Sequence, residues 1–417
     1  MHQSGQGATR VLYVWDADYP WDIRTEKVCR TLATAGYEVG IVARNRAWQQ
    51  EREALPEGVV YRMRPWRLVG RRVDGLLGFP AFVNPRWITH LARGIRRHRP
   101  AVLMVRDLPL CPTAVWVCRW FRLPVVLDMA ENYPAMIKAL WEAGRTGPWD
   151  WAVRNPRAIA AVERYCLPRV DRVIVVVEES ADRIAALGVP RDRIAIVSNT
   201  PPRSRAASAV VRQKPAGDGL VVVYLGLMEV PRGVGDAIEA VARLARSGRP
   251  ITLRLIGDGR DRPLFERQAA DLGVAGRHVE FLGAMPNRAA LDAVAEADVG
   301  LVPHYADDSW NSTIPNKLFD YFAAGLPVVT SDAIPAARVV REAEAGLVYR
   351  SQDAGDLAAQ LERLRDQALR ARLGEAGRRA VLERHNWEEA TTALLRVIGD
   401  LVAKNSAGGT PRSSGPP

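Results

Sequence analysis

The chain has 417 residues, 48% of them apolar and 25% charged, with 58 Lys and Arg against 47 Asp and Glu for a net charge of +11. That is the composition of a water-soluble globular protein long enough for two domains. No apolar run approaches the roughly 18 to 20 residues needed to cross a bilayer, and Met1 to Arg10 is polar, unlike a signal peptide, so a cytoplasmic protein is expected.

The basic balance favours an anionic partner, which composition leaves open between nucleic acid, lipid headgroups and phosphorylated ligands. Cys29, Cys111, Cys118 and Cys166 lie among apolar neighbours without CxxC spacing or clustered histidines. Neither a zinc site nor a disulfide framework is indicated, and buried thiols are expected.

Arg10 to Trp15 reads as a strand, Ile23 to Ala35 as a helix stopped by Gly36, and Glu38 to Ala43 as a strand, which is a β-α-β opening. Asp16-Ala17-Asp18 has the DxD spacing of some metal sites, but a lone triplet at a strand end is a weak signal. From Tyr61 to Pro100 ten arginines face one acid, Asp74, and are interleaved with Trp66, Leu68, Val69, Leu76, Leu77, Phe79 and Trp87. Such a stretch can lie on an anionic membrane, or be arginines solvating a core helix.

Strands follow at Ala101 to Val105, with Asp107 after it, and at Pro124 to Leu127, with Asp128, Glu131 and Tyr133 after it. A helix ending at Tyr165, a strand Arg172 to Val177, a helix Ser180 to Leu187 and a strand Ile194 to Val197 complete a first domain, residues 1–198. Residues 199–219, rich in Pro, Ser, Arg and Gly, read as a linker.

A second α/β domain, residues 220–385, has strands at Leu220 to Leu225, Thr252 to Ile256, Val279 to Leu282, Val299 to Val302 and Pro327 to Thr330. Helices are expected at about Val234 to Ala245, Arg262 to Leu272 and Ala289 to Ala295. A helix in residues 386–402 is expected to cross back to the first domain, and 403–417 is expected to be a disordered tail.

Within the second domain, Pro315 suits a first helical turn and Asn316 to Ala324 a helix, stopped by Gly325 and Pro327. Asn316, Lys317 and Asp320 share one face at its start, and Leu318 and Phe322 the other. A cation, a carboxylate and free helix amides together can hold a ligand that has both phosphate oxygens and sugar hydroxyls. The plainer reading is a surface Lys317–Asp320 ion pair. Arg232, in the loop between Gly226 and Gly235, is placed to face a phosphate near the following helix.

In order, Tyr-Leu-Gly (224–226) with Arg232-Gly233, Leu-Ile-Gly-Asp-Gly (255–259), Val-Glu-Phe-Leu-Gly (279–283), Ala-Asp-Val-Gly-Leu-Val-Pro (297–303) and Pro-Asn-Lys-Leu-Phe-Asp-Tyr-Phe-Ala-Ala-Gly-Leu-Pro-Val-Val (315–329) resemble the family 4 retaining glycosyltransferases. Arg-Asp-Leu-Pro (106–109), Leu-Asp-Met-Ala-Glu-Asn-Tyr-Pro (127–134) and Ser-Asn-Thr-Pro (198–201) extend the resemblance over nearly all of residues 10 to 401.

The resemblance implies a GT-B fold: α/β, two Rossmann-like doubly wound domains facing a central cleft. It implies a hexosyltransferase using a nucleotide-diphosphate sugar, with no metal or other cofactor, acting on a saccharide or lipid-linked acceptor of a cell-surface glycan. Arg232 and Lys317 would bind the diphosphate and Asp320 the ribose hydroxyls. Gly283, Ala284 and Met285 would meet the base, and the amides of Ser312, Thr313 and Ile314 the donor sugar, with Asn316 and Leu318 completing the donor site. Asp22, Asp107 and Glu131 would line the acceptor side.

Three departures from the family pattern are visible. Ser312 stands where a glutamate is common, eight positions before Asp320. Leu227 replaces an arginine, and Ala130 a histidine before Glu131. The first two resemble a Pro-Asn-Lys subgroup; the third leaves the acceptor side without its usual residue. A nucleotide-sugar epimerase or hydrolase of the same fold is the nearest rival. A basic nucleic-acid-binding protein is another, although no aromatic RNA-binding motif or helix-turn-helix signature specifies it.

Overall fold

The computed structural model describes residues 8–20, 22–77, 81–142, 144, 147, 151, 154–208 and 219–407. The chain divides into two units, one running to Val197 and resuming at Thr391, the other spanning Ser198–Ala390.

In the first unit, β1 (Arg10–Val14), β2 (Glu38–Ala43), β3 (Arg52–Leu55), β4 (Gly58–Arg62), β5 (Val102–Arg106), β6 (Val125–Asp128), β7 (Arg172–Val175) and β8 (Ile194–Ile196) make one sheet. Its order is β3-β4-β2-β1-β5-β6-β7-β8, and only the β3/β4 pair is antiparallel. The central strands β5 and β6 are buried along their whole length, as parallel strands covered by helices on both faces must be. The chain builds outward from β1 through β2 and returns to β1's other side with β5. The carboxyl ends of β1 and β5 therefore flank the crevice where such sheets bind ligands.

The β3/β4 hairpin was not anticipated: Arg-Glu-Ala-Leu in β3 is a poor strand by propensity, although Val59-Val60-Tyr61 in β4 is a good one. It forms as a sheet edge, tied by Arg62 to Glu53 at 2.5 Å.

The helix Pro85–His98 starts at Asn84, whose side chain caps Arg86 N, and it buries Trp87, Leu91 and Ile95. Trp87 is thus a core residue with no surface left, in line with the core-helix alternative for this stretch. Arg86 is engaged by Asp74 at 2.8 Å. What stays outward from this basic stretch is the turn Arg67–Val69 and the helix Gly70–Leu76, which expose Leu68, Val69, Val73 and Leu76, with Trp66 and Leu77 exposed beside them. Phe79 lies outside the described residues.

The second unit holds β9 (Leu220–Leu225), β10 (Ile251–Ile256), β11 (Val279–Gly283), β12 (Val299–Val302), β13 (Val328–Ser331) and β14 (Gly346–Tyr349). All are parallel, in the order β11-β10-β9-β12-β13-β14. Here the order reverses between β9 and β12, so the crevice lies at Gly226 and Pro303, beside the starts of the helices Val234–Arg246 and Asn316–Ala323.

Residues 199–208 are not the free linker that composition suggested. They belong to the second unit, where the helix Arg203–Ala207 is pinned by Arg205 to Asp320, by Glu388 to Arg203 N at 2.9 Å and by Arg378 to Ala206 O at 3.3 Å. Residues 209–218 lie outside the described residues. The last helix runs Trp387–Ala407, past the expected end at 402, and Asn405 donates to Ala101 O at 3.3 Å. Residues 408–417 of the expected tail lie outside the described residues. Among the described residues no helix is long and apolar enough to cross a membrane, and all four cysteines are free and buried.

Candidate functional site

At the β9/β12 crevice three backbone segments meet. Gly226 has φ +144°, and a Cβ there would stand 2.8 Å from Lys317 Nζ; Gly233 has φ +70°, and its Cβ would stand 1.8 Å from Pro303 O. Glycine at both positions lets the loop after β9 close onto the Asn316–Ala323 helix on one side and onto the end of β12 on the other. Neither the Val234–Arg246 helix nor the Asn316–Ala323 helix has a side-chain cap, so their first amides remain available to a ligand.

Lys317 sits in the first turn of its helix, nearly buried. Its ammonium makes no hydrogen bond and lies 3.8 Å from the centroid of the Tyr224 ring. Burial, and then the nearby Arg232 guanidinium, depress its pKa well below that of an ordinary lysine. The plainer expectation, a surface ion pair with Asp320, is not what forms, because Lys317 turns inward and Asp320 pairs with Arg205. Arg232 is held by Glu229 at 3.2 Å and stands 5.3 Å from the Trp310 ring. The site therefore concentrates positive charge that its own residues only partly neutralise.

Other expected donor residues divide. Gly283 has φ +74° and accepts from Gly257 N at 2.8 Å, with Ala284 exposed and Met285 half-buried beyond it. Asn316 is exposed at the helix start. Two expectations need correction. The Ser312 amide donates to Ser309 O at 3.2 Å, inside the 3-10 turn Trp310–Ser312, so it does not face a sugar. Leu318 is wholly buried and its amide donates to Pro315 O at 3.2 Å, so it is a core residue. Thr313 and Ile314 are also buried.

Sequence reasoning missed Tyr224, Trp310 and His304. Only His304 carried a signal: an ionisable residue directly after an apolar strand that ends at a binding crevice.

In the first unit, Asp22 caps the helix Ile23–Thr34 by accepting from Thr25 N at 2.8 Å, and Arg106 Nε stands 3.9 Å from it. Asp107, at the carboxyl end of β5, has φ +56°, a conformation disfavoured for a non-glycine residue. Its carboxylate accepts from Ala130 N at 3.1 Å and Arg106 at 3.3 Å. Burial, against the opposing Arg106 charge and aided by Glu131 and Asp128, pushes its pKa up to about 7. Glu131 is exposed. Asp128 beneath is wholly buried and bound by Arg24 at 2.6 Å and Tyr13 at 2.7 Å. Arg106 thus stands near both Asp22 and Asp107, and the Glu131 charge is felt at Asp107.

The DxD carboxylates have protein partners: Asp16 pairs with Arg44, and Asp18 accepts from Arg46 N at 2.8 Å. Among the described residues no group of three or more His, Cys, Asp or Glu is arranged to hold a metal.

Two doubly wound α/β units, the first parallel but for its edge hairpin and the second wholly parallel with a basic crevice at its switch point, define a protein of the GT-B class. The profile of "Glycosyl transferases group 1" matches residues 219–367, and that of "Glycosyl transferase 4-like domain" residues 22–200. The lipopolysaccharide core biosynthesis glycosyltransferase LpsE of Rhizobium meliloti (strain 1021) is 32% identical over 326 residues, covering 77% of this chain and 82% of that one.

Sucrose-phosphate synthase from Thermosynechococcus elongatus superposes with a TM-score of 0.74 at 18% identity, covering 95% of this chain and all of that one. HepE of Anabaena, solved in complex with UDP, superposes with a TM-score of 0.67 at 13% identity, covering 94% and 100%. This chain belongs to glycosyltransferase family 4 and is a glycosyltransferase.

Proposed function

We propose that the enzyme moves a sugar, with retention at the anomeric carbon, from a nucleotide-diphosphate donor onto a lipid-linked or saccharide acceptor of a cell-envelope glycan. The observation that carries the donor class is Lys317: a buried ammonium without a hydrogen bond, beside Arg232 and two uncapped helix starts. A diphosphate is the ligand whose charge and oxygen count suit that set. HepE, which shares the fold, holds UDP, and LpsE is a lipopolysaccharide core enzyme; both agree with this reading.

In the proposed reaction the acceptor oxygen attacks the anomeric carbon on the face the diphosphate leaves. The bond from that carbon to the β-phosphate oxygen breaks, and the acceptor proton passes to the departing phosphate. The protein orients both substrates, while Arg232, Lys317 and the helix starts stabilise the leaving charge. Asp320 would hold the ribose hydroxyls, displacing Arg205, and the backbone at Gly283 to Met285 the base. Asp22, Asp107 and Glu131 would meet the acceptor. The scheme calls for no metal, because the cations are supplied by side chains.

The exposed Trp66, Leu68, Val69, Val73 and Leu76 with Arg67, Arg71 and Arg72 would seat the first unit on the anionic inner face of the cell membrane, where a lipid-carried acceptor resides.

Thermal unfolding against a panel of nucleotide sugars tests the donor reading. A ligand at a hundred times its dissociation constant adds about 2.7 kcal/mol, and the base and sugar giving the largest shift identify the donor. A panel without any shift would overturn the reading. Release of free sugar at the full rate without an acceptor would instead mark a hydrolase.

A further inference from the structure

Lys317 is not the only buried polar group at the β9/β12 crevice without a partner. His304 follows Pro303 at the carboxyl end of β12 and is 1% exposed, and neither of its ring nitrogens makes a hydrogen bond. Its backbone is fixed, because Ser331 Oγ donates to its carbonyl and Gly233 packs against Pro303. The side chain is therefore aimed by the fold.

A neutral imidazole carries one donor and one acceptor, and leaving a buried polar group unpaired destabilises the fold. Were packing its only role, a leucine or phenylalanine would serve better. Its neighbours suggest another. Trp310 meets the imidazole edge-on with centroids 4.1 Å apart, and Arg232 stands over the same indole. Burial, then the charges of Lys317 and Arg232, keep the ring neutral. Beside these two basic groups, a neutral ring N–H can donate to the same anion they attract.

We infer that His304 is a donor-binding residue: one ring N–H donates to an oxygen of the diphosphate held by Arg232 and Lys317, and Trp310, which covers the imidazole, moves aside when that diphosphate binds. This rests on the donor reading above. It adds a third diphosphate contact and a cover to the site.

Calorimetric titration with UDP, GDP and inorganic pyrophosphate tests it on the full chain, comparing wild type with His304→Phe, His304→Gln and Lys317→Met. His304→Phe is expected to weaken the diphosphate that binds wild type, and pyrophosphate, by about ten- to a hundred-fold, the size of a hydrogen bond to a charged group. His304→Gln, which keeps an N–H, should stay within several-fold. The change in tryptophan emission on adding UDP or GDP should shrink markedly in Trp310→Phe.

If Lys317→Met loses binding while His304→Phe binds as wild type, the inference fails and the donor reading stands. If wild type binds none of the three probes, both fall. Equal losses in His304→Phe and His304→Gln would mark a packing role and overturn it. Should His304→Phe not fold, His304→Leu carries the same comparison. An emission change unaltered in Trp310→Phe overturns the part assigned to the cover.

Discussion

The Lys317 ammonium lies 3.8 Å from the centroid of the Tyr224 ring and has no hydrogen-bond partner. A cation–π contact contributes about 0.5 to 2 kcal/mol, less than the several kcal/mol it costs to take an ammonium out of water. The fold therefore holds this lysine at a cost.

Lys317→Met should keep the packing on Tyr224 and remove that cost, so it should unfold at a higher temperature than wild type while losing most transfer activity. The sign with pH follows. The folded pKa is depressed and the unfolded one is about 10.4, so between them the unfolded chain binds the extra proton, and wild-type stability rises with pH through that window. Urea titrations at pH 7 and pH 10 should show the methionine variant's advantage shrinking; equal advantages at both would argue against a buried charge.

Arg232→Ala and Asp320→Ala should each lower turnover by on the order of a hundred- to a thousand-fold, the usual effect of deleting one charge-stabilising contact. Neither should unfold the protein, since both residues sit in partly exposed ion pairs, with Glu229 and Arg205, worth about 0 to 1 kcal/mol. Wild-type rates in well-folded variants would remove these residues from the site.

Transfer should survive EDTA, because the proposed counter-charges for the diphosphate are Arg232, Lys317 and helix starts, while Asp16 and Asp18 are engaged by Arg44 and the Arg46 amide. Activity abolished by the chelator and restored by magnesium or manganese would return the DxD triplet to consideration.

Asp107 has a folded pKa near 7 against about 3.9 when unfolded. In the intervening window the folded state binds the extra proton, so stability falls as pH rises through it. Asp107→Asn should therefore gain stability over wild type at pH 8 and lose that gain near pH 3.5, a comparison that thermal unfolding reads directly. A gain independent of pH would mean that Asp107 titrates normally.

Sedimentation with anionic vesicles at low salt should bring down the wild type and leave more of Trp66→Ala/Leu68→Ala, and of Arg67→Glu/Arg71→Glu/Arg72→Glu, in solution. Each basic residue near such a surface contributes about 1 kcal/mol at most, and added salt should weaken the attachment. If both variants bind as wild type, or wild type does not bind at all, the exposed apolar turn has another purpose.

Much of this protein was written locally in its sequence. The alternation of apolar strands with helical periods, the glycines after β9 and β10, and the run from Pro315 through Val329 are properties of contiguous residues, and they carried the fold, the family and the placing of Arg232 after β9 and of Lys317 in the helix after β12.

The surroundings of those residues were decided by pairings distant in the chain. Tyr224 beneath Lys317, Arg205 on Asp320 and the burial of Trp87 each depend on which distant segments the fold makes neighbours. Period and turn chemistry specify an element and its faces; only the order β9-β12 decides which element those faces meet, and so which buried polar groups are left for a ligand.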